Sequence, residues 1–338
     1  MEDLLLPNAR LADALHRWQA AGWAIHAPRA KQNIVVVGHV DGLEDVNLDV
    51  LLPDLPPKHL VFPQSEDTAR FRLSPPRDVE PLSDAERVLA FGLRDCDARG
   101  IHSIDPVFLD EPADPHYAAR RERLALVGIA CNRPAPGCRC TSCGGGPHAT
   151  EGLDLQLVDL GCEYLARPVT ARGRELLSAL DGLTSKTAVA HAKKADGLAR
   201  AAEAGMTKVE TTDAAALYAR FEDLLWKRHA APCIRCGTCT FVCPTCHCFD
   251  IEDIEYVRRG RRFRCWDACM FWEYSLHASG HNPRPTRSHR WRNRVSCKFW
   301  YFPQNWKVPG CVGCGRCVLA CPVNIDIFEC AREVSRGG

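Results

Sequence analysis

No apolar run in this sequence reaches the roughly 20 residues that span a bilayer, so no membrane segment is expected. The start, MEDLLLPNAR, lacks the basic and apolar regions of a secretory signal and has no twin arginine. A reducing cytoplasm is the expected location. Net charge is also nearly absent: 43 Lys and Arg stand against 42 Asp and Glu, giving +1. No global field therefore advertises nucleic acid or a membrane surface. Catalytic signatures are missing as well. There is no GxSxG, no HExxH, and no GxGxxG after a strand. The glycine run at 144–146 meets Pro147 instead of the Lys-Ser/Thr of a phosphate-binding loop. These absences exclude a dinucleotide fold and leave no catalytic residue to assign.

What the sequence has is sulfur: 20 cysteines in 338 residues. A disulfide framework needs an oxidising compartment and usually a small secreted domain, so these thiols read as metal ligands. The organising stretch is CIRCGTCTFVCP at 233–244, and its pattern returns as CVGCGRCVLACP at 311–322. In each block three cysteines share one tight loop. The fourth opens the next segment and, in two-cluster ferredoxins, ligates the other cluster. The proline after it cannot donate a backbone hydrogen bond and turns the chain away. Two [4Fe–4S] clusters are expected, held crosswise. Cys233, Cys236, Cys239 and Cys321 would hold one; Cys311, Cys314, Cys317 and Cys243 would hold the other. Zinc fits poorly, because its sites usually come as two CxxC pairs far apart.

The patterning predicts an α/β N-terminal domain over residues 1–168, a helical connector over 169–230, and a helical ferredoxin-like domain over 231–338, α+β overall. Apolar strands are expected at 33–40, 87–93, 124–130, 153–160 and 163–167. Asp95 is placed to cap a short helix, and residues 116–123 read as helical. Residues 53–82 are rich in proline and read as loop with short extended pieces. From 170 to 230 proline is absent and two or three helices are expected. In the last of these Asp213 caps a face of Leu217, Phe221, Leu224 and Leu225. The second block starts 78 residues after the first, an internal repeat split by a long insert.

A separate group of thiols precedes these blocks. Cys96 and Cys131 each follow an apolar strand, and parallel neighbours would bring both to one sheet edge. The loop CNRPAPGCRCTSCGGGP at 131–147 could then fold Cys138 and Cys140 over that edge, with Cys143 in reserve. A third iron–sulfur cluster is the favoured occupant, given thiolate softness. A Cys₄ zinc site and unligated structural thiols are the competing readings. The insert carries Cys246, His247, Cys248, Cys265 and Cys269 without an assigned role. His247 reads as a histidine beside a metal or at the surface. Cys162, Cys297 and Cys330 stand alone and read as buried small residues. The arginines of RRGRRFRCWDAC and GHNPRPTRSHRWRNR are either a solvated face or an answer to the charge of anionic clusters. Tryptophans lie among them, but no nucleic-acid-binding module is recognisable.

Several runs together resemble one family. CTFVCPTCHCFDIED, WDACMF, GHNPRPT, KFWYFPQ and CVGCGRCVLACPVNIDI are similar to the iron–sulfur β subunit of cytoplasmic sulfhydrogenases, the NAD(P)-linked [NiFe] hydrogenases. PPKHLVFPQSE, FGLRDCDARGI, DPHYAARRE and CNRPAPGCRCTSCGGGP resemble the same family in the same order. Cys143 and Cys265 depart from its pattern. The A subunit of anaerobic sulfite reductase is similar and supplies the alternative. The resemblance implies an electron-transfer subunit with no active site of its own. Its partners would be a flavin-containing NAD(P)H reductase subunit and hydrogenase, or sulfite reductase, catalytic subunits. A metal-stapled scaffold that transfers no electrons is a third reading.

Overall fold

Apolar alternation along the N-terminal strands builds a sheet with a core on each face. The computed structural model describes residues 3–82, 85–184, 188–210 and 213–336. Strands β1 (Leu4–Pro7), β2 (Ala24–Lys31), β3 (Ile34–His39), β6 (Val88–Leu93), β7 (Leu124–Ile129), β8 (Leu155–Asp159) and β9 (Glu163–Pro168) form it. Their order is β1-β9-β8-β7-β6-β2-β3. The centre, β2-β6-β7-β8, is parallel, and antiparallel strands close both edges. Successive side chains point to opposite faces. Ala125 and Val127 of β7 therefore join Trp18, Leu89 and Phe91 in one core. Leu124 and Leu126 join Ile101, Ile104 and Phe108 in the other.

Helix α1 (Leu11–Ala20) and helix α4 (Ala171–Ser178) cover the first face. Helix α2 (Asp95–Leu109) and helix α3 (Pro115–Glu122) cover the second. The short helix expected at Asp95 runs 15 residues, because Ala98, Ile101, Ile104 and Phe108 give it a buried stripe.

The connector holds α4, α5 (Ala188–Ala204), α6 (Ala214–Ala219) and α7 (Leu225–Ala230). The single amphipathic helix expected after Asp213 is two helices. Asp213 does cap the first, accepting from Ala215 and Ala216 N–H. Asp223 then accepts from Leu225 N–H and starts the second. Leu217 is buried, but Leu224 is 72% exposed and shares no face with it.

The insert contributes a ribbon, β10 (Phe249–Tyr256) and β11 (Arg259–Trp266). It pairs with β4 (Ser65–Arg72) and β5 (Asp78–Pro81) in the order β10-β11-β4-β5, all antiparallel. Buried Arg264 fastens the ribbon to the N-terminal half. Its Nε donates to Glu66 Oε1 at 2.8 Å and its Nη1 to Asp114 Oδ2 at 2.5 Å. Asp114 is also the cap of α3.

Among the described residues no helix is long and apolar enough to cross a membrane. Removing one member of a buried ion network leaves its partners uncompensated. The prediction is that Arg264→Met costs about 3–5 kcal/mol and lowers the thermal midpoint. Adding Glu66→Gln should recover part of that loss; an unchanged midpoint in the single variant would refute the staple.

Candidate iron–sulfur centres

Each cysteine block folds as a loop that runs into one short helical turn. Helix α8 (Thr238–Phe241) follows Gly237, and helix α11 (Arg316–Leu319) follows Gly315. Both glycines have positive φ, 74° and 79°, so each loop can turn sharply into its helix. Helices α8 and α11 pack together, which sets the two blocks side by side.

The first cavity is lined by Cys233, Cys236, Cys239 and Cys321, with Cys317 beside them. Cys236 is exposed and Cys233 buried, so this site reaches the surface at one end. In the second group, Cys311, Cys314 and Cys317 all lie close enough to feel the charge of Cys243. The fourth cysteine of each block thus sits with the three of the other block. Burial raises the thiol pKa of Cys233, Cys239, Cys314 and Cys317, pushing Cys314 up to about 12, whereas a hydrogen bond with Cys246 holds Cys243 well below the ordinary thiol range. A metal-bound thiolate needs positive charge to offset that burial.

The N-terminal thiols meet as well. The parallel pair β6–β7 carries Cys96 and Cys131 to one edge of the sheet. Cys96, Cys131, Cys138 and Cys140 line a single cavity, together with Leu52, Asp95, Met206 and Cys314. Burial pushes Cys131 up to about 11, Cys140 to about 12 and Asp95 to about 7. The Met206 thioether lies 4.0 Å from Cys140 Sγ. Cys143 is not part of this ring; its thiol is in hydrogen-bonding reach of Cys311. A Cys₄ zinc site, with Zn–S near ~2.3 Å, needs sulfurs about 3.8 Å apart around one point. Among the described residues no three or more Cys, His, Asp or Glu side chains are so placed. The four thiols line one cavity.

The second group lies against the N-terminal loop. Arg139 N–H donates to Gly313 carbonyl at 2.7 Å, and Arg139 pairs with Asp326 at 2.7 Å. Buried Arg316, between Cys96 and Cys314, binds Asp97 at 2.8 Å and the Pro53 carbonyl at 2.7 Å. Buried Arg294 donates to the Cys239 carbonyl at 2.7 Å and faces Cys317 and Cys243. Sequence reasoning singled out none of Met206, Lys58, Lys298, Arg316 or Asp95 beside these thiols; Arg294 belongs to the arginine-rich run read as either a solvated face or an answer to cluster charge. His247 packs on Phe302 and Trp306, and burial lowers its pKa to about 4. Cys162 is exposed, and Cys330 is buried under Trp291, accepting from Nε1 at 3.1 Å.

Paired cysteine blocks on a helical frame mark an iron–sulfur protein, and residues 232–325 match the family described as 4Fe-4S dicluster domain. The chain is 34% identical over 304 residues to sulfhydrogenase 2 subunit beta of Pyrococcus furiosus, covering 88% of each chain. It therefore belongs to the family of sulfhydrogenase β subunits, iron–sulfur proteins that transfer electrons as part of a larger complex. No solved structure matches it.

The loop contact makes a test. Gly313 has φ +69°, and an added Cβ would overlap the Arg139 carbonyl oxygen. Gly161 has φ +99° with nothing within 4 Å. Both changes to alanine incur backbone strain of about 1–3 kcal/mol. Gly313→Ala is predicted to destabilise more than Gly161→Ala and to expose the 131–147 loop to protease. Equal losses would mean that the loops do not depend on this contact.

Proposed function

We propose that this chain carries single electrons between a flavin-containing NAD(P)H reductase subunit and the catalytic subunits of a [NiFe] hydrogenase, using three [4Fe–4S] clusters. The proposed ligands are Cys233, Cys236, Cys239 and Cys321; Cys311, Cys314, Cys317 and Cys243; and Cys96, Cys131, Cys138 and Cys140. The observation that carries this reading is contiguity. Cys317 borders the first cavity and Cys314 borders the N-terminal one, and both belong to the middle group. The three groups thus form a row through both halves of the chain.

When bound, such clusters supply one-electron carriers, with potentials from about −700 to +450 mV. The residues around them exclude water, place guanidinium groups between neighbouring sites, and fix the spacing of those sites. Arg294 lies between the first two groups and Arg316 between the last two. Positive charge beside an anionic cluster favours its reduced form. The division proposed is a 1–168 domain carrying one site, a 169–230 connector, and a 231–338 domain carrying two. The number of free thiols suits a reducing cytoplasm. Similarity to a sulfhydrogenase subunit supports a hydrogenase complex over a sulfite reductase.

Two outcomes are predicted. Anaerobic purification of the full tagged chain from its host should bring flavin and nickel with it; co-purification of sirohaem instead would overturn the hydrogenase assignment. Cys321→Ser should alter the EPR signal of the cluster held by the first block. A change confined to the other cluster would overturn the crossed ligation.

A further inference from the structure

Twelve of the 20 cysteines fall in the three groups above. Of the rest, Cys143 lies against Cys311, Cys162 is exposed, Cys265 points from the ribbon, and Cys330 sits under Trp291. The remaining four come from three segments that meet behind the first block. Cys246 and Cys248 follow Pro244, Cys269 lies just past the end of β11, and Cys297 ends helix α9 (Arg287–Ser296). The main chain brings the first two segments together, since Asp267 N–H donates to the Cys248 carbonyl at 3.0 Å. Cys248 and Cys269 thiols are in hydrogen-bonding reach of each other, Cys269 also faces Cys246, and Cys297 faces Cys248.

We propose that Cys246, Cys248, Cys269 and Cys297 are the ligands of a further iron–sulfur cluster, packed beside the group that includes Cys243.

Charge supplies an independent observation. Lys58, Arg294 and Lys298 are buried against these thiols, at 2%, 1% and 3% exposure. None of them has a carboxylate partner among the described residues, whereas buried Arg264 and Arg316 both have one. Lys58 Nζ donates to the Cys246 carbonyl at 2.7 Å and lies 4.0 Å from the Trp266 ring centre. Lys298 Nζ donates to Thr245 Oγ1 at 2.8 Å. Arg294 Nη1 points at Cys246 Sγ from 3.5 Å, and its buried Nε has no partner. Burying isolated cations is expensive unless an anion answers them. The middle group, through Cys243, answers part of that charge. Lys58 is held on the Cys246 side by its hydrogen bond to the Cys246 carbonyl.

The backbone is unusual at the same place. Cys297–Tyr301 is a π-helical turn, a rare form found often at functional sites. It leads into helix α10 (Phe302–Trp306) and sets Cys297 and Lys298 at its start.

The test uses the full chain, reconstituted anaerobically with iron and sulfide. Native mass spectrometry counts clusters without relying on activity. The expected mass is that of four [4Fe–4S] units, about 16 irons. The double variant Cys248→Ser/Cys269→Ser should lose one unit, about a quarter of the iron, and keep the EPR signals of the others. Cys297→Ser serves as a second variant if the first fails to fold. Loss on substitution supports this site even if the total falls short because the N-terminal site is empty. An unchanged count in folded variants would overturn the proposal. So would a Cys248–Cys269 disulfide, retained zinc, or alkylation of these thiols in the reconstituted protein.

Discussion

Buried cations with no carboxylate beside them, Lys58, Arg294 and Lys298 among them, are the constraint on which this molecule turns. Lys58, Arg294 and Lys298 face sulfur instead. Such charge is tolerated in an interior only when an anion lies close by. Clusters with thiolate ligands are that kind of anion. The same electrostatics runs the other way for the thiols. Burial pushes the thiols of Cys131, Cys140 and Cys314 up to about 11, 12 and 12, so a thiolate at these positions needs positive charge beside it. Sites and surrounding cations are therefore interdependent, and the protein's interior is completed by its cofactors.

The second constraint is mechanical. A row of redox centres works only if its spacing is held. Here the holding is done by contacts between segments distant in sequence. The 131–147 loop lies on the second block through Arg139 and Gly313. Arg316 reaches back to Asp97 and Pro53, and Arg264 ties the ribbon to Glu66 and Asp114. The two halves of the chain are thus stitched across the three cysteine groups rather than joined only by the connector.

Much of this was legible beforehand. Cysteine spacing is a local signal, and the two blocks carry it in full. The expectation that Cys96 and Cys131 share a sheet edge needed only two apolar strands and the parallel rule, and β6–β7 is such a pair. What stayed hidden depends on tertiary meeting points. Met206 closes one cavity from the end of α5, and Lys58 reaches Cys246 across 188 positions. Neither carries a local signature. Cys297 read as a solitary thiol because its neighbours arrive from other segments. The ribbon was missed because the apolar alternation of its first strand breaks at Glu252–Asp253 and its second strand carries four arginines; Asp253 and Arg262 pair across it at 2.8 Å. The helix after Asp213 was misjudged because it ends at Ala219 and a second begins at Leu225, whose N–H donates to Asp223.

The most direct measurement is a crystal structure of the anaerobically purified protein with anomalous data collected at the iron edge. The expected map has iron between Cys233, Cys236, Cys239 and Cys321, between Cys311, Cys314, Cys317 and Cys243, and between Cys96, Cys131, Cys138 and Cys140. Iron grouped within each block alone, or an iron-free N-terminal cavity, would contradict the row of three centres.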